Sequence, residues 1–274
     1  IDKPNTYTIK IDVETEGALK IKKVDKETGE VVPGTVFHLD FGKVLPAKDV
    51  TTDKEGIAIL DGIPHGTKVT ITEKSVPAPY TIDTTTLTAT IKAGETISVT
   101  SKNTREKGQI ILDKTGVETG SDLWNDNYSL AGNTFAIRKD SPTGEIVQEI
   151  TTDEKGHAET PKESADALEL GTYYVIETKA SNGFVNTFKP VKVELKYANQ
   201  TVALVTSNVK GQNQEITGET TLTKEDKDTG NETQGKAEFK GAEYTLFTAK
   251  DGQAVKWGGA FKPELVKGTK ASDE

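Results

Sequence analysis

Three polar residues continue the apolar faces of alternating segments between Leu19 and Asn103. One parity reads Leu19, Ile21, Lys23 in an opening segment, Val69, Ile71, Glu73 in a later one, and Ile97, Val99, Ser101, Asn103 in a closing one. The set recurs as Ile110, Leu112, Lys114, then Tyr173, Val175, Glu177, then Val202, Leu204, Thr206, Asn208. Side chains of a strand alternate strictly between faces, so the pattern turns a lysine, a glutamate and an asparagine inward twice. The plain alternative is a residue at a strand end, its stem packed and its head in water, the usual fate of a lone Lys or Glu. Recurrence of all three types at matching places argues instead for burial.

An isolated ammonium in a low-dielectric interior costs on the order of 20 kcal/mol in the idealised Born limit, so it must be neutralised. Burial lowers a lysine pKa and raises a glutamic acid pKa, and a pair enclosed together can persist as neutral amine and neutral acid. The amine is then a nucleophile. The acid can hydrogen-bond the Asn carboxamide and carry a proton to departing ammonia, leaving a Lys to Asn amide. Fixed proximity in a folded core supplies the effective molarity that an enzyme site otherwise provides. The expected bonds join Lys23 to Asn103 and Lys114 to Asn208, with Glu73 and Glu177 as proton shuttles.

The elements that must position these residues repeat. GALKIKKVDKETGE (Gly17 to Glu30) returns as GQIILDKTGVETG (Gly108 to Gly120) and GETTLTKEDKDTG (Gly218 to Gly230), each an alternating strand running into a polar turn. A small-residue turn and a second apolar alternation follow each, at Pro33 to Leu39, Ala131 to Ile137 and Lys240 to Leu246. TTDKEGIAIL and TTDEKGHAET, from Thr51 and Thr151, read as strand, tight glycine turn and returning strand. Many short strands between turn signals predict an all-β chain of tandem sandwiches. The expected organisation is a last strand of a preceding domain or linker at 1–15, one domain at 16–106, a second at 107–212, and the start of a third, incomplete one at 216–274. In that third unit Lys224 occupies the place of Lys23 and Lys114 without a later Glu or Asn to meet it. Thr15 stands where the parity pattern would want Asn, so no such bond is expected before the first unit. One short helix is expected at Pro161 to Leu168, with Thr160 and Glu163 as a capping box.

The 274 residues carry 43 acidic and 34 basic side chains, a formal net charge of −9, which argues against nucleic-acid binding, since that needs a basic stripe. With no cysteine, neither disulfides nor thiolate chemistry is open to the chain, and with no methionine it reads as part of a longer or processed polypeptide. No Walker loop, dinucleotide fingerprint or nucleophile elbow is present. A glycosidase needs two facing carboxylates in a cleft, and no motif singles out such a pair. Asp226, Asp228 and Glu232 lack the rest of a calcium-loop pattern and read as a solvated turn. No cofactor or metal is expected. Trp124, in the insertion Ser121 to Tyr128, is either a core plug or an exposed ligand contact, with packing the expected outcome.

These residues resemble the Cna B-type (SpaA-like) domains of Gram-positive surface adhesins and pilins. The family's Lys-x-Asp turn is matched by Lys23-Val24-Asp25 and Lys224-Glu225-Asp226, whereas Lys114-Thr115-Gly116 departs from it. Its Glu-Thr-x-Ala-Pro-x-Gly-Tyr stretch is met by Glu73 to Tyr80, with Pro79 for Gly, and by Glu177 to Phe184, with Ser181 for Pro. The resemblance implies a transthyretin-like or inverse immunoglobulin-like sandwich, intramolecular isopeptide bonds and a stalk role in a secreted, cell-wall-anchored bacterial surface protein. Its implied partners are neighbouring repeats of the same chain, with no direct membrane contact. The alternative is a ligand-binding adhesin module that recognises a host matrix or plasma protein. A ligand-binding face would show an exposed apolar or aromatic patch, and the low aromatic content, 6%, favours the stalk.

Overall fold

The opening segment forms β1 (Glu16–Asp25), which runs antiparallel to β4 (Ile57–Pro64) on one side and parallel to β7 (Thr96–Asn103) on the other. The structure is a computed structural model and describes residues 15–163, 165–218, 221–240, 249–250 and 253–254. The facing sheet of the first domain has β3 (Lys48–Thr51), β2 (Val36–Asp40), β5 (Lys68–Ser75) and β6 (Leu87–Thr90) in that order. Leu19, Ile21, Phe37, Leu39, Ile63, Val69, Ile71 and Ile91 meet between the two sheets. Inward residues of β1 alternate with partly exposed ones, as a strand with one dry face must.

The second domain repeats the plan. β8 (Lys107–Gly116) pairs antiparallel with β11 (His157–Glu159) and β12 (Leu168–Glu169), and parallel with β16 (Leu204–Glu215). β10 (Ile146–Thr151), β9 (Thr134–Lys139), β13 (Gly171–Lys179) and β15 (Val191–Leu195) form the facing sheet, and β14 (Phe184–Val185) adds to the far end of β16. Ile110, Leu112, Phe135, Ile137, Tyr173, Val175, Val193 and Val209 fill its core.

Short contacts tie the two sandwiches. The nearly buried Lys107 ammonium bridges Glu27 of the first domain at 2.9 Å and Glu169 of the second at 2.6 Å. The loop 196–203 of the second domain reaches back: Ile82 N–H donates to the Gln200 carbonyl (2.7 Å), Val76 N–H to the Gln200 side chain (3.1 Å), and the Tyr197 hydroxyl to the Tyr80 carbonyl (3.3 Å).

The described residues do not form the expected helix. The described residues of Pro161 to Leu168 make a single turn closed by Ala167 N–H on the Glu163 carbonyl (2.8 Å), and Leu168 enters β12. Thr160 is consumed by the sheet, because its hydroxyl accepts from Ile110 N–H (3.0 Å) and its own N–H donates to the Ile110 carbonyl (2.9 Å). The capping box therefore loses its cap to strand pairing. Of the strand or linker expected at 1–15, residues 1–14 lie outside the described residues, as do residues 241–246 of the third unit's second alternation. In the C-terminal unit, Asp226 and Gly230 form an isolated bridge, and the Asp226 carboxylate accepts from the N–H groups of Asp228 (2.8 Å) and Thr229 (3.0 Å).

Candidate functional site

In the first sandwich the three polar residues of the inner face converge. Lys23 lies on the central strand of one sheet and its side chain is fully buried. Asn103, 1% exposed, ends the parallel neighbour β7, two residues beyond Ser101, the cross-strand partner of Lys23. Glu73 faces both from β5, its side chain 2% exposed. Lys23 Nζ donates to Glu73 Oε2 at 2.6 Å and to Ser101 Oγ at 2.7 Å, while Asn103 Nδ2 donates to Glu73 Oε1 at 2.6 Å. Asn103 Nδ2 also donates to the Thr81 carbonyl. One carboxylate thus holds the amine on one oxygen and the carboxamide nitrogen on the other. Burial lowers the Lys23 pKa, against the opposing pull of the Glu73 hydrogen bond and charge.

The second sandwich builds the same cluster with a different asparagine. Lys114 is 1% exposed and Glu177 6%. Asn208, the expected partner, is exposed on β16 and registered with Ile111. The inward residue is Asn213, 1% exposed, whose Nδ2 donates to Glu177 Oε1 at 2.7 Å. Lys114 is registered with Gly211, so Asn213 stands two residues beyond that partner, as Asn103 does in the first domain. The pairing of Lys114 with Asn208 is therefore corrected to Asn213, which lies past the expected domain end at 212. The cause is a register displaced from 208 to 213, an odd number of residues, which turns every side chain of a strand to the other face. The connection entering the closing strand is 91–95 in the first domain but 196–203 in the second, and the longer loop is the one that contacts the neighbouring domain. Small inward residues, Ser207 and Gly211, blank the alternation that would have marked the true face.

Lys114 Nζ has no hydrogen-bond partner and neither has Glu177 Oε2. Burial pushes the Lys114 pKa down to about 8, resisted by the Glu177 charge, and burial raises that of Glu177 against the pull of Lys114 and Asn213. Both shifts favour the neutral amine and neutral acid. The Phe188 ring lies 5.2 Å from the Lys114 amine, and a Cβ on Gly211 would sit 2.4 Å from that ring, so glycine is what lets the aromatic cover the lysine.

Repeated turns fix both lysines from behind. Lys23 N–H donates to the Gly56 carbonyl (2.7 Å) and Lys114 N–H to that of Gly156 (2.8 Å). These glycines have φ of 70° and 77°, and a Cβ would come within 2.7 Å and 2.0 Å of the respective lysine carbonyls. The conformation and the close approach both demand glycine. The missing Asp of the second unit is replaced from another strand. Asp25 Oδ1 accepts from the N–H groups of Glu27 (2.7 Å) and Thr28 (3.0 Å). In the second domain Glu215 of β16 serves Glu118 (3.1 Å) and Thr119 (2.9 Å) in its stead. Gly116 makes the room, since a Cβ there would lie 2.2 Å from Glu215 Oε1.

Lys224 is exposed in the C-terminal unit. Trp124 is 42% exposed and stands edge-on to Tyr128, which packs in turn on Phe184. It is a partly covered surface ring and not the expected core plug. Among the described residues no group of three or more His, Cys, Asp or Glu side chains is placed to hold a metal ion.

Two sandwiches, each with its first strand central and parallel to its last, define tandem prealbumin-like β domains. The family model described as SpaA, a prealbumin-like fold domain, matches residues 17–105 and again 108–210. The chain belongs to that family. Among solved structures, the Bacillus anthracis TIE protein is 30% identical with a TM-score of 0.57, the match covering 74% of this chain and 34% of that one. A streptococcal ancillary pilin is 19% identical (TM-score 0.32, 74% of this chain and 63% of that one). The C-terminal fragment of the pilus adhesin SpaC from Lactobacillus rhamnosus GG is 14% identical (TM-score 0.41, 75% and 100%). The chain thus spans about a third of the TIE protein and under two thirds of the streptococcal pilin. No curated protein matches it.

Proposed function

We propose that this chain is a stalk segment of a bacterial cell-surface adhesin or pilin, and that each of its two SpaA domains closes itself with a Lys to Asn isopeptide bond. One observation carries the proposal: in both sandwiches a buried lysine of the first strand and a buried asparagine of the last strand flank a single buried glutamate of the facing sheet. The ammonium gives a proton to the carboxylate, and the free amine attacks the asparagine Cγ. The tetrahedral intermediate passes a second amine proton, through the carboxyl group, to Nδ2. The Cγ–Nδ2 bond breaks, ammonia leaves and takes up the remaining proton as ammonium, and the carboxylate is restored. Bonds, charge and protons balance, nothing is oxidised, and each domain reacts once, so the chain is no turnover enzyme. A surface location and attachment to the cell wall follow from the same proposal, as does mechanical linkage to neighbouring repeats. Among the described residues, the exposed aromatic side chain on which recognition of a host protein would rest is Trp124.

The intact mass tests the proposal. It is expected to fall short of the sequence mass by two ammonia molecules. Glu73→Ala and Glu177→Ala are each expected to restore one, because loss of a positioned proton carrier slows such a step by about 10²–10⁴-fold. A full sequence mass in the folded wild-type chain would overturn it.

A further inference from the structure

The two clusters differ in where one backbone N–H points. Asp83 follows Glu73 at the same interval as Thr187 follows Glu177. In the first domain Asp83 N–H donates to Glu73 Oε1 at 3.3 Å, and Asn103 Oδ1 is buried without a hydrogen-bond partner. In the second, Thr187 N–H donates to Asn213 Oδ1 at 3.1 Å. The segment carrying it is pinned on three sides: β14 pairs with Gln214 and Glu215, Gln214 N–H donates to the Thr187 hydroxyl (3.1 Å), and Asn186 Nδ2 donates to the Glu177 carbonyl (3.0 Å). The amines differ as well. Lys23 is anchored by Glu73 and Ser101, whereas Lys114 faces Gly211 and the Phe188 ring.

We propose that the backbone N–H of Thr187 is an oxyanion donor for attack of Lys114 on Asn213, and that the first domain, whose matching N–H is turned onto its glutamate, cross-links more slowly. The inference rests on the isopeptide chemistry proposed above. As the amine adds to Cγ, the carbonyl π electrons move to Oδ1, which becomes an alkoxide. A donor already in place there stabilises the charge without reorganisation. In the first domain the same N–H, together with the ion pair, stabilises the unreacted carboxylate and ammonium. Ser101 adds a hydrogen bond that Lys23 must give up before its amine can attack.

The test follows ammonia loss at each site in chain made by cell-free synthesis, quenched at intervals in acid and denaturant and digested for mass spectrometry. Folding of each domain is read by limited proteolysis of the same samples. After folding, the second site is expected to react at least about tenfold faster than the first. Thr187→Pro, which deletes the N–H, is expected to slow the second site by about 100-fold, the usual loss for one oxyanion donor. Thr187→Val, which keeps the N–H but deletes the hydroxyl that Gln214 N–H donates to, is expected to slow the site by no more than about tenfold, the worth of one neutral hydrogen bond. Equal rates at the two wild-type sites would overturn the proposal, and so would Thr187→Pro reacting like Thr187→Val. If Thr187→Pro fails to fold, the wild-type comparison decides. Ammonia retained at both wild-type sites indefinitely would instead overturn the isopeptide chemistry itself.

Discussion

Asn213→Ala is expected to lower the thermal midpoint of the second domain by on the order of 20 °C, and Asn208→Ala to leave it unchanged. A bond from Lys114 to Asn213 closes nearly the whole domain into one loop. By the chain-entropy relation for covalent cross-links, loops of about 80–100 residues gain roughly 4–5 kcal/mol from restriction of the unfolded chain. For a domain of about 100 residues, each kcal/mol moves the midpoint by about 4–5 °C. The hydrogen bond that Asn213 makes to Glu177 adds about 1 kcal/mol, and the free Lys114 amine adds a burial penalty that fades above pH 8, so the cross-link's own share is read at about pH 10. The mechanical effect is larger. Because β8 and β16 are parallel neighbours at the two ends of the domain, tension on the chain would pass through the staple and leave the residues between slack. Single-molecule pulling should find no extension of the second domain in the wild type and full extension in Asn213→Ala. Extension of the wild-type domain at ordinary unfolding forces would contradict the cross-link.

A second large effect concerns pH. Asn213→Ala cannot cross-link and so keeps Lys114 as a buried free amine. Its pKa in the folded chain, about 8, lies below its ordinary value of 10.5. Between these values the unfolded chain binds more protons than the folded one, so stability rises with pH across that window. The penalty for burying the amine is present in full below pH 8 and fades toward pH 10.5, a span of about 3 kcal/mol at 1.36 kcal/mol per pKa unit. Burial also raises Glu177, and that carboxyl is present in both variants compared. Burial raises Tyr173 and other tyrosines, whose ionisation acts in the opposite sense at the alkaline end, so the contrast is best drawn from pH 8 to 10 against Lys114→Met/Asn213→Ala. Chemical denaturation at several pH values should show the rise in the single variant only. A flat profile would mean that Lys114 is charged or hydrated in the folded domain.

The first domain's cluster was legible from parity alone, because Lys23 and Glu73 extend unbroken apolar alternations and Asn103 extends one interrupted only by Ser101. The facing strands and the glycine turns at Gly56 and Gly156 were legible for the same reason: period and turn chemistry are local. What escaped was non-local. Nothing near Asn213 announces its partner, since its inward neighbours Gly211 and Ser207 are small, and the loop 196–203 takes its length from contacts with another domain. Glu215 could not be recognised as the stand-in for Asp25, because the carboxylate arrives from a strand far along the chain. The helix expected after Thr160 failed because a hydroxyl suited to a cap was already bonded to Ile110 across the sheet.

The most direct measurement is tandem mass spectrometry of a tryptic digest of the folded wild-type chain. Cleavage after Lys210 separates Asn208 from Asn213 into different peptides. The expected result is a branched peptide joining Lys114 to the peptide that begins at Gly211, with one ammonia lost, and a second joining Lys23 to Asn103. Linear peptides ending at an unmodified Lys23 and Lys114 would contradict the cross-links, and a branch from Lys114 to Asn208 would contradict the register that places Asn213 on Glu177.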